Sequence, residues 1–385
     1  MSRDYRAFGV LVASGLLLPV ASFATPFYNV TVLGPQYLGA PDAVATAFNS
    51  AGQITGQYSD NGNAHAFLYG SGGLLDLGTL GGPSSIGLAI NDNGQVAGDS
   101  SITGSTNLEA TTHAFLYSNG NMQDLGTLGG AESHVAGVNN AGQVVGSSAT
   151  ANNTEHAFLF SNGVMQDLGT LPGAYYSYGY GINDAGQVTG VSFNYPPYPS
   201  VPSQAFIYSD GMMIGLGTLG GTTSEGIGIS DNGLVTGGSM TAGNSAEHAF
   251  LYSNGKMQDL GTLGGTFSTG YGVNDAGQVI GESITNRGAA DAFFYSDGSM
   301  YDLNNLIGAA SSCVEIPFAF SINNIGQIFA VGSYAKAGST SRAFILTPTD
   351  TPSSGNICAV SEPGVLGLMS FGLTGLGLAM RQRKR

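Results

Sequence analysis

Charged side chains, tryptophan and cysteine are scarce in this sequence. Asp, Glu, Lys and Arg make up 9% of the 385 residues, Trp is absent, and there are two Cys. Ten basic residues against 25 acidic ones give a formal net charge of −15, so the chain has too few positive charges to hold a nucleic-acid backbone. With 42% hydrophobic and 10% aromatic residues, it is too apolar to be plainly disordered.

Linear signatures of enzymes are also missing. The sequence contains no Gly-x-Ser-x-Gly, no His-Glu-x-x-His, no phosphate-binding loop and no Gly-x-Gly-x-x-Gly that opens a helix. We therefore predict that the protein is not an enzyme and has no catalytic residues, resident cofactor or metal, although a site assembled from distant segments would leave no linear motif.

Glycine, by contrast, is abundant, with 62 residues, and much of it lies in repeated motifs. Asn-x-x-Gly-Gln recurs six times between Asn49 and Gln327, and a degenerate copy begins at Ser230. His-Ala-Phe begins at His65, His113, His156 and His248, and at Gln204, Asp291 and Arg342 another residue precedes Ala-Phe. Asp-Leu-Gly-Thr-Leu-Gly-Gly stands whole at 76–82, 124–130 and 259–265. Seven linked units therefore cover about residues 45–346.

These three motifs, recurring in fixed order, resemble the HAF family of extracellular repeats. The resemblance implies an exported repeat protein, and it brings no known activity with it.

The residues themselves predict four short strands per unit, A to D. Asn-Gly and Asp-Gly join C to D, and such pairs favour tight hairpins because they accept positive φ. Four strands in about 45 residues is the size of a β-propeller blade. We predict an all-β, seven-bladed propeller over residues 25–346, closed by the N-terminal strand around Tyr28, because the seventh unit has no D strand. An open β-solenoid or a sandwich array is the alternative.

Both ends of the chain are predicted to lie outside this fold. A basic start, an apolar run from Ala7 to Val20 and Ala-Ser-Phe-Ala ending at Ala24 are typical of a secretory signal peptide, residues 1–24. After a linker at 347–360, Ser361-Glu362-Pro363 precedes 17 uncharged residues and a basic tail. The uncharged run is near the lower limit for a membrane-spanning helix.

This three-part tail, residues 361–385, resembles the PEP-CTERM sorting signal of Gram-negative exported proteins, with Ser361 in place of the first Pro. The residues that carry the resemblance are Ser361, Glu362, Pro363, Arg381, Arg383, Lys384 and Arg385. It implies recognition by an exosortase, transient or stable anchoring in the membrane through the C-terminal helix, and association with exopolysaccharide or biofilm matrix at the cell surface.

The lengths of the connections predict where a ligand would bind. The A–B and C–D spacings are constant, whereas the B–C connections vary, and binding residues tend to lie on variable loops of a rigid scaffold. The fourth unit concentrates aromatic residues on this B–C side, namely Tyr175, Tyr176, Tyr178, Tyr195 and Tyr198. Such a cluster either contacts a sugar or protein ligand or packs between blades.

Three other residue types have structural interpretations. The His of His-Ala-Phe is interpreted as a hydrogen-bonding anchor of strand C, since a metal site would not tolerate Arg342 at the same position. The Asn/Asp-rich turns could hold Ca²⁺, but turn chemistry explains them. In an exported chain, Cys313 and Cys358 are expected to form a disulfide.

Taken together, the sequence predicts a non-enzymatic surface or matrix protein that binds polysaccharide or another surface protein. The alternatives are an extracellular polysaccharide hydrolase or lyase, or a purely structural matrix component.

Overall fold

A computed structural model describes residues 26–33, 40, 42–60, 62–104, 111–195, 202–334 and 341–351. Within these ranges the chain forms 28 β-strands, three short 3₁₀ helices and no α-helix. The 3₁₀ helices are Ala242–Asn244, Leu303–Asn305 and Gly308–Ser312. We number the sheets by the repeat unit that supplies them.

Antiparallel pairing follows chain order within each unit. The first unit has β2 (Val44–Phe48), β3 (Ile54–Asp60), β4 (Asn63–Gly70) and β5 (Gly73–Gly78). The second has β6 (Gly81–Ile90), β7 (Val96–Ile102), β8 (Thr112–Ser118) and β9 (Asn121–Asp124). The third has β10 (Gly129–Val138), β11 (Val144–Thr150), β12 (Glu155–Ser161) and β13 (Val164–Asp167). The fourth has β14 (Tyr176–Ile182), β15 (Val188–Phe193), β16 (Gln204–Ser209) and β17 (Met212–Gly215).

The remaining units complete the set. The fifth has β18 (Gly220–Ile229), β19 (Val235–Thr241), β20 (Glu247–Ser253) and β21 (Lys256–Asp259). The sixth has β22 (Gly264–Val273), β23 (Val279–Thr285), β24 (Ala290–Ser296) and β25 (Ser299–Asp302). The seventh has β26 (Val314–Ile322), β27 (Ile328–Tyr334) and β28 (Ser341–Thr349), and β1 (Phe27–Leu33) pairs with β28.

Turn chemistry explains why these short segments fold into hairpins. Asn119 and Gly120, between β8 and β9, have φ of 52° and 80°, the left-handed values that a two-residue hairpin turn requires. Inside the sheets, the Gly of strand B has a different role. A Cβ on Gly98 would lie 2.0 Å from the carbonyl oxygen of Ile86, so only glycine lets β7 approach β6 this closely.

Buried phenylalanines hold neighbouring sheets together. The Phe of every Ala-Phe motif is fully buried: Phe67, Phe115, Phe158, Phe206, Phe250, Phe293 and Phe344. Phe158, for example, packs with Ala97 and Ala114 of the second unit. The first unit meets the seventh in the same way, because Phe48 stacks on Phe329 with ring centroids 6.0 Å apart. The units therefore follow one another around a closed circuit.

The N-terminal strand completes this circuit. β1 is antiparallel to β28 from Phe27, opposite Thr349, to Leu33, opposite Ala343. The predicted end of the repeat domain at residue 346 is three residues short, because Thr347, Pro348 and Thr349 extend β28 and pair with β1.

The predicted fold class needs a correction in its number of blades. Seven separate four-stranded blades were expected, but the structure has five four-stranded sheets and one eight-stranded sheet. Glu247 of β20 pairs in parallel with Phe267 of β22, and this bridge merges the strands of the fifth and sixth units. The predicted C-terminal anchor helix, within residues 361–385, and the predicted signal peptide, residues 1–24, lie outside the described residues. In the ranges that are described, no helix has the length and apolar character needed to cross a membrane.

Candidate functional site

An aromatic cluster occupies the B–C end of the fourth unit, where β14 begins and β15 ends. Phe193 is at its centre, with ring centroids 5.7 Å from Tyr176, 5.0 Å from Tyr178 and 4.9 Å from Tyr195. Tyr176 and Tyr195 also meet edge to face at 5.2 Å. The structure thus brings together three of the tyrosines that the sequence singled out, around a phenylalanine that it had not ranked among them.

The members of this group differ in exposure and in polar contacts. The Tyr178 hydroxyl donates to Glu155 Oε2 of the third unit at 2.7 Å, which makes Tyr178 a link between two sheets. Tyr175 is 44% exposed, and its N–H donates to Asn194 Oδ1 at 2.7 Å. Tyr198 lies outside the described residues. Tyr175 is therefore the ring best placed to meet a ligand, while Tyr176, Tyr178 and Tyr195 pack among themselves and Phe193.

A cleft of about 440 Å³ opens at the same end of the fourth unit. Its volume falls within the range of about 300–1,000 Å³ that is usual for small-molecule sites. The cleft is lined by Leu171, Pro172, Ala174, Ser192, Pro202, Gln204, Met213 and Gly215. None of these side chains carries a charge.

The His of each His-Ala-Phe motif contacts an Asp at the end of strand D. Nδ1 of His65, His113, His156 and His248 lies 2.8–3.1 Å from a carboxylate oxygen of Asp76, Asp124, Asp167 and Asp259, respectively. Burial alone would raise the pKa of Asp167, but hydrogen bonds from His156 and from the Gly169 N–H hold it below its ordinary value. Each contact joins strand C to the end of strand D within one unit, and the structural role of these histidines stays a prediction.

Three units lack this pair, and each lacks it differently. In the fourth unit Gln204 and Gly215 stand in the places of His and Asp, and both line the cleft. In the sixth unit Asp291 faces the retained Asp302. Burial first, and then the negative charges of Asp302 and Glu315, raise the pKa of Asp291. In the seventh unit the position is Arg342.

A second pair of titratable groups, Asp99 and His134, links the second and third units. His134 Nδ1 lies 2.9 Å from Asp99 Oδ2, and the Val135 N–H donates to Asp99 Oδ1 at 2.8 Å. Burial would lower the pKa of His134, but the hydrogen bond to Asp99 and the charges of Asp99, Glu155 and Glu132 raise it above its ordinary value. His134 lies outside the repeat motifs, and pairing across sheets was not predictable from its local sequence.

The A–B turns meet at the opposite end, around a recess of about 290 Å³ lined by residues of all seven units. Their Asn side chains connect neighbouring sheets. Asn49 Nδ2, for instance, donates to the Asn91 carbonyl oxygen at 2.9 Å. The residues after these Asn include Asp92, Asp184 and Asp275, and in the fifth unit Asp231 follows Ser230. In the described ranges no group of three or more His, Cys, Asp or Glu side chains could hold a metal ion, so the structure adds no support for Ca²⁺ at these turns.

Two further predicted features fall partly or wholly outside the described residues. Cys313 is buried and disulfide-bonded, and Cys358, its predicted partner, lies outside. The sorting residues Ser361, Glu362, Pro363, Arg381, Arg383, Lys384 and Arg385 also lie outside.

Comparison with known proteins identifies the fold. No protein-family model and no curated protein matches the chain. Among solved structures, the β-propeller domain of the Trilobed protease from Pyrococcus furiosus, described as having an open velcro topology, is similar with a TM-score of 0.52 and 9% identity, over 84% of this chain and 97% of that one. The chain folds as a β-propeller.

Two peptidases show a weaker likeness. The Pyrococcus horikoshii acylaminoacyl peptidase matches with a TM-score of 0.49 and 8% identity, over 84% of this chain. A puromycin-hydrolyzing peptidase from Mycobacterium tuberculosis matches with a TM-score of 0.47 and 10% identity, over 80% of this chain. The present chain spans about half the length of each, 52% in both cases.

The fold match corrects the prediction that the protein is not an enzyme. One solved structure with this fold is a domain of a protease, so the fold occurs in enzymes. Missing linear motifs do not exclude activity here, because a propeller brings side chains from several sheets together.

Proposed function

We propose that the protein is an exported propeller that binds an extracellular polysaccharide through the B–C end of its fourth unit. The observation that carries the proposal is an uncharged cleft of about 440 Å³ at the end of the unit where Tyr175, which follows the lining residue Ala174, is exposed. Aromatic rings present an apolar face with a polar edge, which suits the face of a sugar ring. The packed rings around Phe193 give this end of the sheet a rigid support.

Charge supports the choice of partner. Residues 25–360 contain four basic and 23 acidic residues, a formal net charge of −19. A surface with this balance repels nucleic acid and anionic lipid. The ligand is therefore sought among extracellular polymers and surface proteins, and polysaccharide is the class that the tyrosines favour.

Export and sorting are proposed from the two ends of the sequence. The apolar segment ending at Ala24 and the tail from Ser361 to Arg385 support secretion, exosortase recognition and a surface or matrix location. Mass spectrometry of the protein recovered from the host's medium and envelope tests this proposal. We expect a mature N-terminus at Thr25, and retention of residues 1–24 would contradict export by this route.

Co-sedimentation with the host's exopolysaccharide, with and without Ca²⁺, tests the binding function. We expect saturable binding by the wild type and at least tenfold weaker binding by Tyr175→Ala. Ile325→Ala is the matched control, because it removes a 66% exposed apolar side chain from an A–B turn at the other end of the sheets. Equal binding by Tyr175→Ala and the wild type would contradict the proposed site.

The Asp99–His134 pair favours a second candidate function, cleavage of the same polymer. A carboxylate that holds one imidazole nitrogen leaves the other to exchange protons, as a general acid or base does, and His134 Nε2 lies 3.8 Å from Glu132 Oε2. Size-exclusion analysis of the polymer after long incubation tests this. Shortening that is lost in His134→Ala would support a hydrolase or lyase, and a polymer of unchanged length would contradict it.

A further inference from the structure

In the fourth unit, two repeat positions that are eleven residues apart have changed together. The other complete pairs join His to Asp at this spacing, as in His156 and Asp167, whose Nδ1 and Oδ2 lie 2.9 Å apart. In the fourth unit the same positions are Gln204 and Gly215. The backbone is unchanged, because the Leu216 N–H donates to the Ala205 carbonyl oxygen at 2.8 Å, as the Leu168 N–H does to that of Ala157 at 3.0 Å.

The cleft lies where the pair is missing. Gln204 and Gly215 both line it, and a Cβ added to Gly215 would lie 2.7 Å from Gln204 Oε1. The Gln204 side chain thus covers the place from which an Asp side chain would project. Replacing an ion-pairing couple by an amide and a glycine removes charge and side-chain volume from this wall of the cleft.

The chain segment that supplies the cleft has few charges, although the protein is strongly acidic. Between Pro172 and Gly215 the sequence contains two charged residues, Asp184 and Asp210, and no basic residue. Asp184 lies in the A–B turn and Asp210 in the C–D turn, which are at the opposite end of the sheet from the B–C connection. An uncharged cleft gives a cationic ligand no counter-ion, and the acidic body repels an anionic one.

We infer that the Gln204–Gly215 cleft binds one uncharged sugar unit of a neutral polysaccharide. The side-chain amide of Gln204 can donate and accept hydrogen bonds, which matches sugar hydroxyls that do both. The exposed Tyr175 directly follows the lining residue Ala174, so an aromatic residue is next in sequence to the wall of the cleft. This inference rests on the proposed polysaccharide-binding function and specifies the ligand as neutral.

Restoring the missing pair tests the inference without removing any packing. The double variant Gln204→His/Gly215→Asp recreates the couple that the third and fifth units already accommodate. Asp291→His is the matched control, since it builds the same couple opposite Asp302 in the sixth unit, away from the cleft. Gly215→Asp alone is a second variant, and the group it would meet is the end of the flexible Gln204 side chain.

Isothermal titration calorimetry of the full-length purified proteins would use neutral glucose, galactose, mannose and xylose hexamers, a galacturonate hexamer and a proline-rich peptide. We expect at least one neutral hexamer to bind the wild type and Asp291→His equally, and to bind the double variant and Gly215→Asp at least tenfold more weakly. Unchanged thermal unfolding of the variants shows that the loss is local.

Three results would overturn the inference. Equal binding of the neutral hexamer by wild type and double variant would place the site elsewhere and leave the proposed function standing. Binding of the galacturonate or the peptide that the double variant loses would show that the ligand class is wrong. No binding of any neutral hexamer also overturns it, and parallel failure of co-sedimentation with exopolysaccharide would show that the proposed function has failed as well.

Discussion

Asn91 Nδ2 donates to the carbonyl oxygen of Asn139 across 2.8 Å, which joins the second unit to the third at the inner A–B turns. The same amide donates to Gln95 Oε1 at 2.7 Å, and Asn91 Oδ1 accepts from the Gln95 N–H at 2.9 Å. Asn91 is 4% exposed. One buried side chain therefore closes its own turn and ties it to the next sheet.

Asn91→Ala is expected to destabilise the protein by about 2–3 kcal/mol, because it leaves buried donors and acceptors without partners. Urea unfolding followed by circular dichroism measures this. Asn93→Ala is the control. Its side chain donates to the Asn140 carbonyl oxygen in an exposed bond, so its effect should stay within about 0.5–1 kcal/mol. Equal effects of the two variants would show that burial of the Asn91 amide is not what matters.

Asp291→Asn is expected to stabilise the protein at neutral pH by about 0.5–1 kcal/mol, the scale of exposed charge interactions. The folded-state pKa of Asp291 is raised by burial and by the charges of Asp302 and Glu315. A raised carboxyl pKa means that the folded state loses stability as pH rises from the unfolded pKa through the folded one. The gain should therefore be present at pH 7 and vanish below about pH 3.5, under the ordinary carboxyl value.

Thermal unfolding of wild type and Asp291→Asn across pH 3 to 7 measures this difference. Asp167→Asn is the opposite control, because the pKa of Asp167 is lowered. Its substitution should cost stability at pH 7, and that cost should disappear as pH falls through the folded pKa. A stability loss in both variants at pH 7 would contradict the assignment of repulsion at Asp291.

The repeat motifs carried the prediction of strands and turns because they record local chemistry. Asn119-Gly120 favours one tight turn conformation. The Phe of the Ala-Phe motif, such as Phe115, recurs at the same position of each unit and predicts which side chain is buried. The parallel bridge between Glu247 and Phe267 has no local signal, since it depends on how closely two units approach. The predicted sheet count was therefore wrong although the propeller fold was correct.

The candidate site was predicted in part for the same reason. The spacing of the motifs placed Tyr175, Tyr176, Tyr178, Tyr195 and Tyr198 at the variable end of the fourth unit, but it did not show which ring is exposed. The cleft had a sequence signal, the joint change to Gln204 and Gly215, which becomes apparent only when both strand positions are compared together. The Asp99–His134 contact joins two sheets, and its partners are 35 residues apart, so the repeat motifs do not predict it.

Phe193→Ala is expected to lower the free energy of unfolding by about 2–3 kcal/mol, as loss of a packed aromatic ring usually does. Phe193 contacts three tyrosine rings within 5.7 Å. Tyr175→Ala, at an exposed position, should change stability by no more than about 0.5 kcal/mol. Chemical denaturation of both variants measures the contrast. A comparable loss in Tyr175→Ala would mean that Tyr175 belongs to the packing and is unsuited to report on ligand contact.

His134→Gln is expected to destabilise the protein at pH 5.5 but not at pH 9. The pKa of His134 is raised by Asp99, Glu155 and Glu132, so the charged imidazole contributes stability that is fully present below the unfolded pKa of about 6.5. This contribution is lost as pH rises through the folded pKa. Because His134 is 36% exposed, solvent screening limits the difference to about 1 kcal/mol.

Urea titrations at the two pH values measure this difference. His248→Gln is the control, because its imidazole pairs with Asp259 within one sheet and its removal shows the effect of losing a repeat histidine. A loss in His134→Gln that is the same at both pH values would mean that the Asp99 contact stabilises the sheets through the neutral imidazole and not through its charge.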